Sequence, residues 1–281
     1  MTTLPNTPDV WKDSLPHSKP DGHKYDRGVA VIYGAPKMTG ATRLAARACA
    51  RMGAGLVKVI APTGTGDIYR STLHEEIIVT DEADFDDLKD SRITSFLMGP
   101  GCPPDPLYGK LFYKAMEQGR DHIKGVVLDA GAFTVWASNP LEFRAISNGD
   151  VVVTPHEGEF GQFAAKLPDA FRSPEKVERA GKVAQALDCV VVLKGPQTVV
   201  AGEGETIVQD RPLPQLATGG TGDVLAGMIT GLLAQGMDAK MAAAAAVWIH
   251  GEAAARFGAG LVSSDLPDCL PPILSELGFL T

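Results

Sequence analysis

Two apolar runs, Gly125-Val-Val-Leu-Asp129 and Cys189-Val-Val-Val-Leu193, constrain the fold most. Neither shows the polar-apolar alternation of a half-exposed strand, so each must be covered on both faces, as in the middle of a parallel sheet. The strands read as Val126–Asp129 and Val190–Leu193, and similar short runs recur at Val29–Tyr33, Leu56–Ile60, Ser95–Met98 and Val151–Thr154. Helical patterns fall between them near Ala41–Met52, Asp105–Gln118, Leu141–Ser147 and Pro174–Leu187. This alternation predicts an α/β chain with helices on both faces of a mostly parallel sheet.

The pattern then changes. Thr198–Ala201 and Glu205–Gln209 flank Gly202-Glu203-Gly204, which reads as a β-hairpin with a glycine turn. Two long helices come next, Asp223–Gln235 and Asp238–Phe257, with Gly236 and Gly258 as their stops. Residues 1–24 are rich in proline and polar groups and read as an arm, with 25–281 forming one domain. No low-complexity linker or internal repeat divides them.

With 44% hydrophobic and 21% charged residues, the 281-residue chain has ample material for a core. A formal charge of −8 without clustered Lys and Arg excludes a protein that wraps nucleic acid. Cys49, Cys102, Cys189 and Cys269 lack the spacing of a disulfide framework or a zinc motif and suit a reducing compartment. The N-terminal segment lacks the basic-then-apolar order of a secretory signal, and no apolar run reaches membrane-spanning length. A cytoplasmic location with no membrane partner is the expectation. Ala242–Ala246 offers a smooth helix face suited to packing within or between subunits, and a homo-oligomer is expected.

The most informative stretch is Gly219-Gly-Thr-Gly-Asp223 together with the apolar run after it. Val224, Leu225, Met228, Ile229, Leu232 and Leu233 form the stripe of a buried helix. Gly227 and Gly231 lie one turn apart on it, which costs propensity but permits close backbone approach. The glycines before it can present successive N–H groups at the positive end of the helix dipole, a site for an anion such as phosphate. The loop is neither a Walker A motif nor G-x-G-x-x-G. Asp223 is its one ionisable group, and it has two readings. It is either an acid favoured in a helix's first turn or a general base for phosphoryl transfer. Thr63-Gly-Thr-Gly-Asp67 looks alike, but the polar Ile68-Tyr-Arg-Ser-Thr72 cannot open a buried helix, so it reads as a plain connection.

Other turns fall at strand ends. They are Gly34 to Ala41, Gly99-Pro-Gly101, Thr154-Pro-His-Glu-Gly-Glu-Phe160 and Lys194-Gly-Pro-Gln-Thr198. In open α/β sheets ligands bind beyond the carboxyl ends of strands, so these turns and the glycine loop should meet at one edge. His156, Glu157 and Glu159 lack H-E-x-x-H spacing and do not read as metal ligands.

Taken in order, these motifs resemble the NAD(P)H-hydrate dehydratase family, a branch of the ribokinase-like fold. The resemblance runs from about residue 15 to 275. It includes His23-Lys24, Gly40-Ala41, Gly55-Leu-Val57, Leu128-Asp-Ala130, Trp248-Ile-His-Gly251 and Ser264-Asp-Leu266 besides the turns already named. It implies a three-layer α/β/α fold with a C-terminal β-hairpin, and a lyase that repairs hydrated NADH or NADPH (NADHX, NADPHX). ADP or ATP would phosphorylate the ring hydroxyl, and loss of phosphate would restore the double bond. Carried over, Ala41, Gly101, His156 and Asp223 would contact the hydrate. Lys194, Gly195, Pro196, Gln197, Thr198, Gly219, Gly220, Thr221 and Gly222 would hold the nucleotide. Asp223 would be the base, and Mg²⁺, with unassigned ligands, would accompany the nucleotide.

The family often carries an acid after Leu-Asp-Ala, where Gly131 stands here. It is often fused to an N-terminal epimerase domain for which this chain is expected to have no room, so epimerisation would fall to a separate epimerase, the expected functional partner, or proceed spontaneously. A hydroxyethylthiazole kinase-like enzyme would share the glycine loop and Asp223, but the His156 and Lys194 motifs together fit the dehydratase better. A non-catalytic nucleotide-binding protein would gain little from an acid beside phosphate.

Overall fold

A computed structural model of the chain describes residues 2–17, 21–81, 86–119, 121–136, 150–168 and 173–279. The helix expected at Leu141–Ser147 lies outside the described residues. The strands are β1 (Thr3–Pro5), β2 (Val29–Tyr33), β3 (Leu56–Ala61), β4 (Ile77–Asp81), β5 (Ile93–Met98), β6 (Gly125–Leu128), β7 (Val151–Val153), β8 (Val190–Leu193), β9 (Thr198–Ala201) and β10 (Thr206–Gln209). They form one ten-stranded sheet in the order β1-β10-β9-β8-β7-β6-β5-β2-β3-β4. From β8 across to β4 every neighbouring pair is parallel. The β9–β10 hairpin adds antiparallel to β8, as its glycine turn predicts.

Two edge strands escape the apolar-run criterion. At β4 one face is open to solvent, so its pattern is mixed, and β1 carries Pro5, which the ladder tolerates at an edge. Chain order reverses beside β2, which pairs with β3 on one side and β5 on the other. That reversal opens a crevice at the carboxyl ends of the strands.

The helices are α1 (Pro8–Trp11), α2 (Thr39–Arg51), α3 (Gly66–Thr72), α4 (Pro106–Gly119), α5 (Ala130–Trp136), α6 (Glu157–Ala164), α7 (Lys176–Leu187), α8 (Thr221–Ala234), α9 (Ala239–Phe257) and α10 (Leu266–Glu276). One core lies between the sheet and α2, α8, α9 and α10, and it takes Ala30, Ile32, Val127 and Val192 from the strands. The other takes the alternate residues Val29, Val31, Val126 and Val191 and lies under α4, α5, α6 and α7. The architecture is therefore α/β/α, with the central strands apolar on both faces because both are covered.

The apolar stripe of α8 is buried along its length. At about 1.5–3 kcal/mol per buried aliphatic side chain, its six large residues supply on the order of 10 kcal/mol before entropy is counted. A Cβ at Gly227 would fall 2.1 Å from the Ala45 carbonyl oxygen, and one at Gly231 would fall 2.6 Å from that of Cys49. Those glycines let α8 lie directly on the α2 backbone. Ala242–Ala246 is fully buried inside the subunit, so that stripe faces no second copy.

The N-terminal arm is tied down. Asn6 Nδ2 donates to the Ala244 carbonyl at 2.9 Å, and its Oδ1 accepts from Trp11 Nε1 at 3.0 Å. Trp11 packs against Trp248 with ring centroids 5.8 Å apart and planes tilted by 58°. The segment Gly66–Thr72, expected from sequence to be a plain connection, is a short helix. It is not a buried one: Ile68 faces outward, and Tyr69 turns inward to hold the helix down. Among the described residues no helix is long and apolar enough to cross a membrane.

Candidate active site

The turns after β2, β5, β6, β7 and β8 meet at the carboxyl edge, beneath the amino end of α8. Two opposite charges form the floor. Asp129, just past β6, is 2% exposed. Its Oδ1 accepts from Thr154 Oγ1 at 2.6 Å and from Lys194 Nζ at 3.0 Å. Burial works to lower the Lys194 pKa, but Asp129, Glu159 and Asp223 together hold it above the ordinary lysine value. Ala130 sits at φ 44°, a left-handed conformation that costs a non-glycine residue roughly 1–2 kcal/mol. This strain lies immediately behind the buried acid, where functional turns tend to concentrate it. A Cβ at Gly131 would stand 2.0 Å from the Cys102 carbonyl oxygen. The acid that the family pattern often places there has no room in this chain.

Asp223 lies in the first turn of α8, whose N-cap is Gly220 at φ 94° with no side-chain cap. Among the described residues nothing donates a hydrogen bond to its carboxylate. Burial first, and then the neighbouring Asp129, push its pKa up to about 7 against the pull of Lys194. A carboxylate serving as a cap would accept from backbone N–H groups and titrate low. This one is open and titrates near neutrality. The first N–H groups of α8 have no partner within the helix, so they and the dipole present positive potential at the same point. A Cβ added at Gly222 would lie 3.3 Å from Lys194 Nζ, so this loop and the lysine face each other directly.

Beside this cluster is a cavity of about 450 Å³. Lys194, Gly195, Pro196, Thr198, Thr221 and Gly222 line it, and apolar walls come from Leu213, Leu225 and Val247. Of the other expected nucleotide residues, Gln197 turns its carbonyl to Lys176 at 2.5 Å. Gly220 packs under Ser263 and Leu44, where any Cβ would clash, and Gly219 is unobstructed.

A family model described as NAD(P)H-hydrate dehydratase matches residues 29–273, the whole span that carries this geometry. The chain belongs to the NAD(P)H-hydrate dehydratase family. It is 30% identical over 275 residues to an ADP-dependent (S)-NAD(P)H-hydrate dehydratase of Listeria monocytogenes, covering 95% of each chain. It is 35% identical to a bifunctional NAD(P)H-hydrate repair enzyme of Salinibacter ruber, over 93% of this chain but only 51% of that one. The chain thus spans about half the length of its bifunctional relatives. The structure superposes on ADP/ATP-dependent NAD(P)H-hydrate dehydratase of Bacillus subtilis, co-crystallised with ATP and Mg²⁺, at a TM-score of 0.78 and 28% identity, covering 99% of both chains. The fold is ribokinase-like.

In this member of the dehydratase family the remaining expected residues lie on the β2–β5 side of the crevice. Gly101 has φ 74°, and a Cβ there would fall 2.5 Å from the Met38 carbonyl oxygen and 3.0 Å from the Ala41 side chain. Cys102 is next in the chain, its thiol pushed up to about 12 by burial and by the field of Asp223, which places this turn next to the acid. His156 is the N-cap of α6: its Nδ1 accepts from the N–H groups of Gly158 at 3.0 Å and Glu159 at 3.2 Å. The Glu159 carboxylate accepts in return from the His156 N–H at 2.9 Å, completing a capping box. The imidazole is 61% exposed, and its Nε2 lies 3.6 Å from Glu159 Oε1.

Thr42 and Tyr69 support the site without any signal in the sequence, whereas His250 falls in the Trp248–Gly251 motif. Thr42 Oγ1 accepts from the Ala35 N–H at 2.9 Å and donates to the Pro100 carbonyl at 3.3 Å, which ties the turns after β2 and β5 together. The Tyr69 hydroxyl donates to the Ala35 carbonyl at 2.8 Å, so the segment expected to be a mere connection holds the crevice wall. His250 is among the residues around the cavity, its pKa lowered by burial to about 4, and its buried Nε2 has no hydrogen-bond partner among the described residues.

Proposed function

We infer that this protein is an ADP- or ATP-dependent NAD(P)H-hydrate dehydratase. It transfers phosphoryl to the ring hydroxyl of hydrated NADH or NADPH and expels phosphate to regenerate the dihydronicotinamide. The observation that carries this reading is Asp223, an unpartnered carboxylate held near neutrality at an anion-binding helix end. Asp223 takes the proton of the attacking hydroxyl. The hydroxyl oxygen bonds to the terminal phosphorus of the nucleotide, and the bond to the bridging oxygen breaks. The C–O bond to the ring then breaks, phosphate departs with the electron pair, and a proton lost from the adjacent ring carbon leaves the double bond. A base with pKa near the working pH is the best compromise between being deprotonated and being basic.

The remaining roles rest on placement. The Gly219–Gly222 N–H groups and the Lys194 ammonium stabilise the phosphoryl group in transit, where fixed donors cost no reorganisation. Residues 194–198 and the 450 Å³ cavity hold the nucleotide, its base against Leu225 and Val247. Ala41, Gly101 and His156 line the hydrate's side, where the missing Cβ at 101 lets that turn close on Met38 and Ala41. Gly131, sealed against Cys102, takes no part.

Mg²⁺ fits the donor set in a limited sense. It commonly needs one or two carboxylates together with nucleotide phosphates, and Asp223 has open oxygens beside Asp129. Among the described residues the one cluster able to form a preformed cage, His74, Glu75 and Glu76, is exposed and lies at the end of α3, outside this site. When bound, the ion supplies charge neutralisation for the phosphates. The longer relatives are called bifunctional, which supports an epimerase acting on the same hydrate as the functional partner.

The test is incubation of the protein with NADHX or NADPHX plus ADP or ATP, with dihydronicotinamide absorbance as the readout. Recovery is expected with at least one nucleotide. Failure with both in folded protein, or efficient phosphorylation of hydroxyethylthiazole instead, would favour the kinase reading.

A further inference from the structure

Lys176, in the first turn of α7, lies outside every motif, yet its ammonium reaches across to the turn after β8. Nζ donates to the Lys194 carbonyl at 3.1 Å and to the Gln197 carbonyl at 2.5 Å, spanning residues 194–197 from behind. The same ammonium is 3.2 Å from Glu157 Oε1, and Arg179 braces the other Glu157 oxygen at 2.6 Å. Glu157 is the residue after His156, the cap of α6. One lysine therefore joins the turn after β7 to the turn after β8, which also touch through the Lys194 N–H donating to the Pro155 carbonyl at 2.9 Å. Glycine at 195 makes this contact possible, since a Cβ there would lie 2.7 Å from Lys176 Nζ.

We propose that Lys176 is a positioning residue for nucleotide binding, holding the 194–197 turn with its carbonyls drawn back and its N–H side toward the ligand. The inference rests on the reading of residues 194–198 as the nucleotide turn. In a planar trans peptide the C=O and N–H point in opposite directions. Drawing the Lys194 carbonyl toward α7 therefore turns the Gly195 N–H away from Lys176, at a residue that lines the cavity. A backbone N–H fixed this way donates to an anion, and the phosphate chain of a nucleotide is the ligand class it suits; Pro196, next in the chain, has no N–H to add. Replacing the ammonium by an apolar group would leave two inward carbonyls without a donor and free the peptide planes to rotate. Glu157, itself braced by Arg179, anchors the Lys176 ammonium under the nucleotide turn.

Titration calorimetry of ADP and ATP against wild type, Lys176→Met, Lys176→Arg and Glu157→Gln tests this. Absence of nucleotide binding in folded wild type would overturn the reading of the 194–198 turn itself. If wild type binds, the proposal expects Lys176→Met to weaken nucleotide binding about tenfold or more, the scale of a lost charge-assisted contact. Lys176→Arg should recover part of that loss, and KM for the hydrate should move less than about twofold, since uniform loss of fold would move both. Nucleotide binding within twofold of wild type in Lys176→Met would overturn the proposal with the nucleotide reading intact. Should Lys176→Met melt at working temperature, Glu157→Gln decides. Binding weakened about threefold at unchanged melting temperature supports the clamp, and unchanged binding overturns it.

Discussion

Lys194 Nζ lies 3.0 Å from Asp129 Oδ1, and this pair sets the charge of Asp223 from both directions. Asp129 pushes the Asp223 pKa up and Lys194 pulls it down, while burial does the largest share. The net result is a carboxyl near neutrality at the amino end of a helix, where position alone would favour its ionised form.

The pair can be dissected through the pH profile of kcat/KM. Asp129→Asn removes the repulsion and should move the acidic-limb midpoint downward, by about one pH unit. Lys194→Met removes the attraction and should move it upward. It should also cost stability, about 3–5 kcal/mol, by leaving Asp129 buried without its counter-charge. Midpoints that stay together in all three proteins would show that Asp223 does not titrate in that limb.

Stability gives Asp223 a second, independent signature. A carboxyl whose folded pKa is raised from 3.8 to about 7 binds more protons when folded than when unfolded across that interval. Its share of stability is fully present below pH 4 and is lost as pH rises toward 7. Asp223→Asn should therefore be more stable than wild type near pH 8, on the order of 1–3 kcal/mol after discounting for partial exposure. The advantage should shrink toward nothing near pH 4. Equal melting temperatures for the two proteins across that range would contradict the raised pKa.

Gly227→Ala sets two known effects against each other. Helix propensity alone would stabilise the alanine form by about 1 kcal/mol. The new Cβ would meet the Ala45 carbonyl oxygen at 2.1 Å, and forcing α8 off α2 costs about 1–3 kcal/mol or more. A net loss of stability is expected in denaturant titration, because a backbone oxygen cannot rotate aside. A raised melting temperature would mean that the two helices are not packed this closely.

For His156, two substitutions separate cap from contact. Asn is a good N-cap, so His156→Asn should fold as well as wild type, whereas His156→Ala should lose about 1 kcal/mol. Both lack the exposed imidazole edge, and both should raise KM for the hydrate. An unchanged KM in the asparagine variant would reduce His156 to a capping residue.

Much of this is legible in the residues. The runs at 125–129 and 189–193 are apolar on both faces because the sheet is covered on both faces, and the spacing of Gly227 and Gly231 signals a close backbone approach, which the fold makes to α2. Other features have no local signature. β1 and β4 are edge strands whose patterns look like loops. Tyr69 and Lys176 act on turns 34 and 18–21 residues away in sequence, so nothing near them marks their partners. Asp223 is ambiguous in sequence for a different reason: a capping acid and a base in a helix's first turn are the same letter in the same place. The fold adds burial and the neighbouring Asp129, and these are what support the proposed base.

The most direct measurement is therefore the single-turnover rate of hydrate conversion, with saturating nucleotide, for wild type and Asp223→Asn as a function of pH. The wild-type rate should rise through a midpoint near pH 7 and then level off, tracking deprotonation of Asp223. The asparagine variant should be slower by about 10²–10⁴ and lack that midpoint. An asparagine variant that turns over near the wild-type rate with the same pH profile would contradict the assignment of Asp223 as the base.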